Sequence, residues 1–174
     1  LEGRVPVSRY LSGFSDVTAL AVFDHQMHAM NLLTRVAWEG RVAASAGATA
    51  TAGAIGDLVR ETADYLMFTG EAPLDGPIAG GSGFAEAFMD RGPKDDRGRS
   101  LREFDRRTRL FRYPASYMVY SPAFEALPAG VRAAVIGRMR ATLAGDGGAT
   151  RDARFTDEDR RTALEILQAT VPGF

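Results

Sequence analysis

From Asp16 to Ala46 the chain carries no proline and a single glycine, Gly40. An uninterrupted run of that length with repeating apolar residues has few structural outlets. Strict alternation is absent, and Leu20, Phe23, Met27, Met30 and then Leu33 or Thr34 follow three- and four-residue steps. Leu32, Val36 and Trp38 follow them less strictly. That period belongs to an amphipathic helix, because residues three and four apart share a helical face. Ser15 or Asp16 supplies the short oxygen-bearing side chain that satisfies a free N–H of a first turn. The expectation is a long N-terminal helix that forms the spine of the fold and buries the Leu20–Phe23–Met27–Met30 face.

The remaining punctuation divides the chain into shorter helices. Residues 1–14 hold Gly, Pro and Ser without periodicity and read as an extended arm, leaving 15–174 as a single helical domain. After the small-residue stretch Gly47–Gly56, a helix is expected from about Ala54 to Phe68, with Ile55, Leu58, Val59, Ala63, Leu66 and Met67 inward and Gly70 as its stop. Residues 70–83 form a Gly/Pro-rich loop, followed by a short helix from Phe84 to Asp90. Ser100 and Glu103 read as a capping box opening a short helix near Leu101. Pro114 ends whatever precedes it. Ser121-Pro122 and Pro128 each open a helix, the second running to about Ala144 with Val131, Val135, Ile136, Met139 and Leu143 inward. Residues 145–150 read as a flexible link, and Thr156 caps a last helix whose first turn carries Asp157, Glu158 and Asp159 at its positive end. Tyr117–Tyr120 is the nearest approach to a strand and is too short to build a sheet on. The fold class is therefore all-α, a single domain of five to seven helices with an irregular Gly/Pro- and Arg-rich middle.

Composition narrows the chemistry. The 174 residues contain no cysteine, which removes disulfides, thiolate nucleophiles, iron–sulfur ligation and covalent haem c attachment. No apolar stretch is long enough to span a membrane as a helix. The net charge of -1 argues against nucleic acid, whose partners carry a strong positive footprint.

Two stretches carry candidate sites. His25 and His28, the only histidines, lie three apart and so roughly on one helical face. Two imidazoles at that spacing can share a divalent metal, with Glu61, Asp64 or Glu71 as carboxylate partners, and one can ligate haem b. The opposite iron ligand would come from Met67, Met89, Met118 or Met139. The competing reading is two packed, hydrogen-bonded histidines. The second stretch runs from Asp90 to Arg112, with nine basic residues against five acidic ones. Arg99 and Arg112 are its candidates for clamping haem propionates or another anion. The competing reading is a salt-bridged, solvated face built on Glu103–Arg107 and Asp105–Arg109 pairs, with Phe104, Phe111, Tyr113, Tyr117 and Tyr120 as core. Asp95 and Asp96 read as a solvated pair in a polar loop. No Gly-x-Ser-x-Gly elbow, zincin motif or phosphate-binding loop occurs, so no catalytic residue is assigned and enzymatic activity is left open.

The segments HQMHAMNLLTRVAWEGR, EAPLDGPIAGGSGFAEAF and RGPKDDRGRSLREFDRRTRLFRYPASYMVYSPAFEALP resemble the C-terminal region of a group of uncharacterised exported bacterial proteins. The resemblance runs from about residue 16 onward and implies an envelope or periplasmic location, with no assigned activity. The pattern of residues 156–170 is similar to the last helix of cytochrome c-like domains. The resulting expectation is a non-catalytic structural or interaction module, part of a larger envelope or electron-transport assembly. Its partners would be other protein chains or preceding domains of the same protein. The alternative is a haem b or divalent-metal binding domain at His25 and His28.

Overall fold

The computed structural model describes Pro6, residues 16–145 and residues 154–174. The arm expected over residues 1–14 lies outside the described residues apart from Pro6, and so does the link after Gly145. The fold is all-α. Helices α1 (Val17–Ser45), α2 (Gly53–Leu66) and α3 (Phe84–Met89) are followed by a 3-10 turn (Tyr117–Tyr120) and by α4 (Pro122–Glu125), α5 (Ala129–Ala144) and α6 (Asp157–Thr170). Among the described residues, the β structure is one isolated antiparallel bridge between Phe104 and Phe111.

Helices α1, α4 and α6 start where a side chain satisfies a free N–H group of the first turn. The Asp16 carboxylate accepts from the Ala19 N–H at 3.1 Å. Ser121 caps α4 ahead of its proline, and Thr156 and Asp159 form a reciprocal capping box on α6. The capping box expected at Ser100 and Glu103 opens no helix. Half of the box forms, with the Ser100 N–H donating to Glu103 Oε1 at 3.0 Å, but the Ser100 hydroxyl accepts from the Arg102 N–H instead of that of Glu103, and the chain then turns. The Asp105 carboxylate collects the N–H groups of Arg107, Thr108 and Arg109 and ties that segment into a tight loop. Local side-chain bonds have outcompeted the helical ladder. Arg112 consequently pairs with Glu103 across the bridge, at 2.8 Å, in place of the expected i,i+4 pairs.

Helix α1 packs on α2, α2 on α5, and α5 on α6, with α1 also touching α3, α4 and α5. One apolar core runs through all of them. Helix α5 buries Val131, Val135, Ile136, Met139 and Leu143, the expected stripe, and α2 buries Ile55, Leu58, Val59, Ala63 and Leu66. Phe111, Tyr113 and Tyr117 of the irregular middle are also core residues.

Helix α1 departs from expectation. Its core-facing residues are Thr18, Val22, His25, Ala29, Leu32, Leu33, Val36 and Gly40. Leu20, Phe23 and Met27, taken from spacing as the buried face, are 57%, 60% and 48% exposed, and Met30 and Trp38 also stand outside. The helix carries two apolar stripes on opposite sides, and periodicity alone does not choose between them. Packing chose the one with the smaller side chains, because a neighbouring backbone can approach it closely. Gly40 marks a close crossing: a Cβ added there would collide with Val131 Cγ2 on α5.

Gly40→Ala therefore sets a helix-propensity gain of up to ~1 kcal/mol against overpacking of about 1–3 kcal/mol. The expected outcome is a net loss of roughly 1 kcal/mol in urea unfolding. Much less than the additive loss is expected in the Gly40→Ala/Val131→Ala double variant, since the truncated valine makes room.

Candidate functional site

The most chemically unusual group in the fold is His25. It sits on the inner face of α1 at 5% exposure, ringed by Tyr65, Phe68, Phe111 and Tyr117. Its Nε2 lies 2.7 Å from the hydroxyl of Ser116, a residue that is itself fully enclosed. That hydroxyl also accepts from the Met118 N–H at 3.1 Å and keeps its own proton to offer to the imidazole. The arrangement suits a neutral ring accepting at Nε2. Burial is the main force on its ionisation, with His28 adding to it, and the pKa is lowered to about 4. Ser116 is anchored in turn by its N–H donating to the Leu66 carbonyl at 2.7 Å, which ties the start of the 3-10 turn to the end of α2.

One turn further along α1, His28 is exposed and stacks on Tyr65 at 4.3 Å between ring centroids. Tyr65 also stacks on His25, and its hydroxyl donates to the His25 carbonyl at 3.3 Å. Burial raises the Tyr65 pKa to about 12, so it stays a phenol. Above these rings opens a cleft of about 370 Å³ lined by Asp24, His25, His28, Tyr65, Phe68 and Glu71, among others. Phe68 occupies it with φ of +57°, a conformation that a bulky side chain adopts only under constraint. The constraint is visible: the ring is held between His25 and Phe111, and Arg154 donates to the Phe68 carbonyl at 3.0 Å.

The two predicted histidines thus reach the same cleft in different states, one consumed by a buried hydrogen bond and one facing outward. Among the described residues, no group of three or more His, Cys, Asp or Glu side chains is arranged to hold a metal ion. Arg99 and Arg112 are not among the described residues lining the cleft, and both are paired within the chain. Arg99 bridges Asp95 and Glu165 of α6, at 2.6 and 2.7 Å. Asp95 is not the solvated residue its loop position suggests. Its side chain is 5% exposed; burial pushes its carboxyl up, but the Arg99 guanidinium and then the N–H groups of Arg99 and Arg97 hold its pKa below the ordinary carboxylate value. Arg109 spans to Asp159 and the Arg154 carbonyl, and lies over the Phe155 ring. Arg102 lies over Phe88 and Tyr117. Arg97, Arg99 and Arg109 thus fasten the irregular middle to α6, while Arg102 packs on α3 and the 3-10 turn and Arg112 pairs within the middle itself. Ser116 and Tyr65 were missed by sequence reasoning, and no local signal pointed to them, since Ser116 lies 91 residues from His25.

A scan against protein-family models and searches of curated proteins and of solved structures find no match for this chain.

The depressed His25 pKa has a signed consequence. Between pH 6.5 and about 4 the unfolded chain binds a proton there that the folded chain refuses. Stability from this group is complete above pH 6.5 and is lost as pH falls toward 4, by about 3 kcal/mol in all. Urea unfolding across this range should show that slope, and His25→Gln should flatten it relative to the native chain. Ser116→Ala, which strands the imidazole, should cost about 1–3 kcal/mol at pH 7.

Proposed function

We propose that this chain is a helical interaction module that docks other protein surfaces through the outward stripe of α1, with no catalysis of its own. The observation that carries the reading is the placement of Leu20, Phe23, Met27, Met30, Trp38 and Val42 outside the fold, on the side of α1 opposite its buried face. A helix that is apolar on all sides is normally an interior helix. Leaving side chains such as Phe23 uncovered forgoes about 1.5–3 kcal/mol each of burial free energy, which a bound partner recovers. The nearest approach to a nucleophile–base pair, Ser116 and His25, is enclosed and committed to holding the fold. An exported or periplasmic setting belongs to the same proposal and rests on the resemblance carried by Arg99–Pro114. A photo-crosslinking residue at position 23, in cells producing the chain, should yield a discrete adduct, while the same residue at exposed Asp57 on α2 should not. Equal labelling from both positions, or none from either, would count against a docking face.

A second reading is ligand binding in the cleft through exposed His28, with haem b or a divalent metal as candidates; His25 would join it only by giving up its bond to Ser116. It is favoured by exposed His28 and constrained Phe68 lining one opening. Titration of the purified chain with haem b, and separately with Zn²⁺, is expected to give saturable binding that His28→Ala weakens at least tenfold. Binding left unchanged by that substitution would remove the reading.

A further inference from the structure

We infer that the partner on the outward stripe of α1 is a second copy of this chain, with the two α1 helices packed antiparallel. This rests on the docking reading above and specifies its occupant.

Area is the first argument. At their observed exposures, Leu20, Phe23, Met27, Met30, Trp38 and Val42 offer on the order of 700 Å² of accessible surface, close to the ~800 Å² that each partner contributes to a stable interface. That is more than the largest apolar patch of an ordinary monomer, roughly 300–600 Å². Self-complementarity is the second. Two-fold symmetry demands that one stripe match its own reverse. A two-fold axis crossing α1 at the level of Met30 and Asn31 sets Leu20 against Val42 and Phe23 against Trp38 of the other copy. The largest ring of each half meets the largest ring of the opposite half, and the smaller ends meet each other. Charge is the third. On one flank of the stripe, exposed Asp24 comes within a helical turn of the second copy's Arg35. On the other flank, Arg41 comes to the edge of the second copy's Phe23. Arg35 is free to turn toward such a partner, since its pairing with Glu61 is loose, at 3.7 Å with both side chains more than half exposed. A parallel pairing would leave Asp24 and Arg35 beside apolar residues of the other helix.

The absence of cysteine makes the test direct. Asn31→Cys places a thiol at the axis, where two copies lie within disulfide reach. Leu20→Cys places its two thiols roughly 30 Å apart in the antiparallel pair. The native chain is expected to sediment as a dimer, and Phe23→Glu to raise its dissociation constant at least tenfold with the helical circular-dichroism signal unchanged. Oxidation should link Asn31→Cys into a dimer and leave Leu20→Cys unlinked. Efficient linkage of Leu20→Cys would overturn the antiparallel arrangement. A native chain that stays monomeric up to about 1 mM, where even weak interfaces assemble, would overturn the second copy as partner. In that case the in-cell adduct from position 23 still decides, separately, whether the stripe docks another protein.

Discussion

The hydrogen bond between His25 and Ser116 is the contact on which the rest of the arrangement depends. It joins α1 to the irregular segment that carries Phe111, Tyr113 and Tyr117 into the core, across 91 residues of sequence and at 2.7 Å. A buried imidazole is tolerated because four aromatic rings surround it and a hydroxyl meets its acceptor nitrogen. The Ser116 N–H is in turn held by the last turn of α2, so one serine secures α1, α2 and the 3-10 turn together. With α1 fixed in rotation by this bond and by the Gly40–Val131 crossing, its other side can only face outward.

The exposed apolar stripe and the buried histidine therefore have one origin, the rotation at which α1 is held. The inward face of α1 sets Thr18, His25, Ala29 and Gly40 among Val22, Leu32, Leu33 and Val36, so apolar burial is joined there by close approach and by a specific polar bond. The aromatic and methionine side chains of the helix stand on the opposite side. The irregular middle contributes differently. Arg99 and Arg109 grip α6 through Glu165 and Asp159, with Asp95 bracing Arg99 from within the segment, so a stretch without regular structure is held by ion pairs and ring contacts.

Much of this was legible in the sequence. Prolines, caps and spacing gave the helices of α1, α2, α5 and α6 nearly to the residue, and the buried stripes of α2 and α5 followed from period alone. The face of α1 was not legible, since a helix apolar on both sides offers two equally good stripes. The helix expected after Ser100 was not, because its capping residues satisfy a turn as readily as a helix. The partners of His25 were beyond reach because Tyr65 and Ser116 approach it only through tertiary packing. Asp95 reads as solvated until Arg99 closes over it.

Trp38 is the only tryptophan in the chain, and it stands 66% exposed on the outward stripe. The indole emission of this protein therefore reports on its edge and not on its interior. Unfolding would move an already wet fluorophore into water and change its colour little. Covering the stripe would shift the emission to the blue, so the molecule carries its own optical gauge of whether that face is occupied.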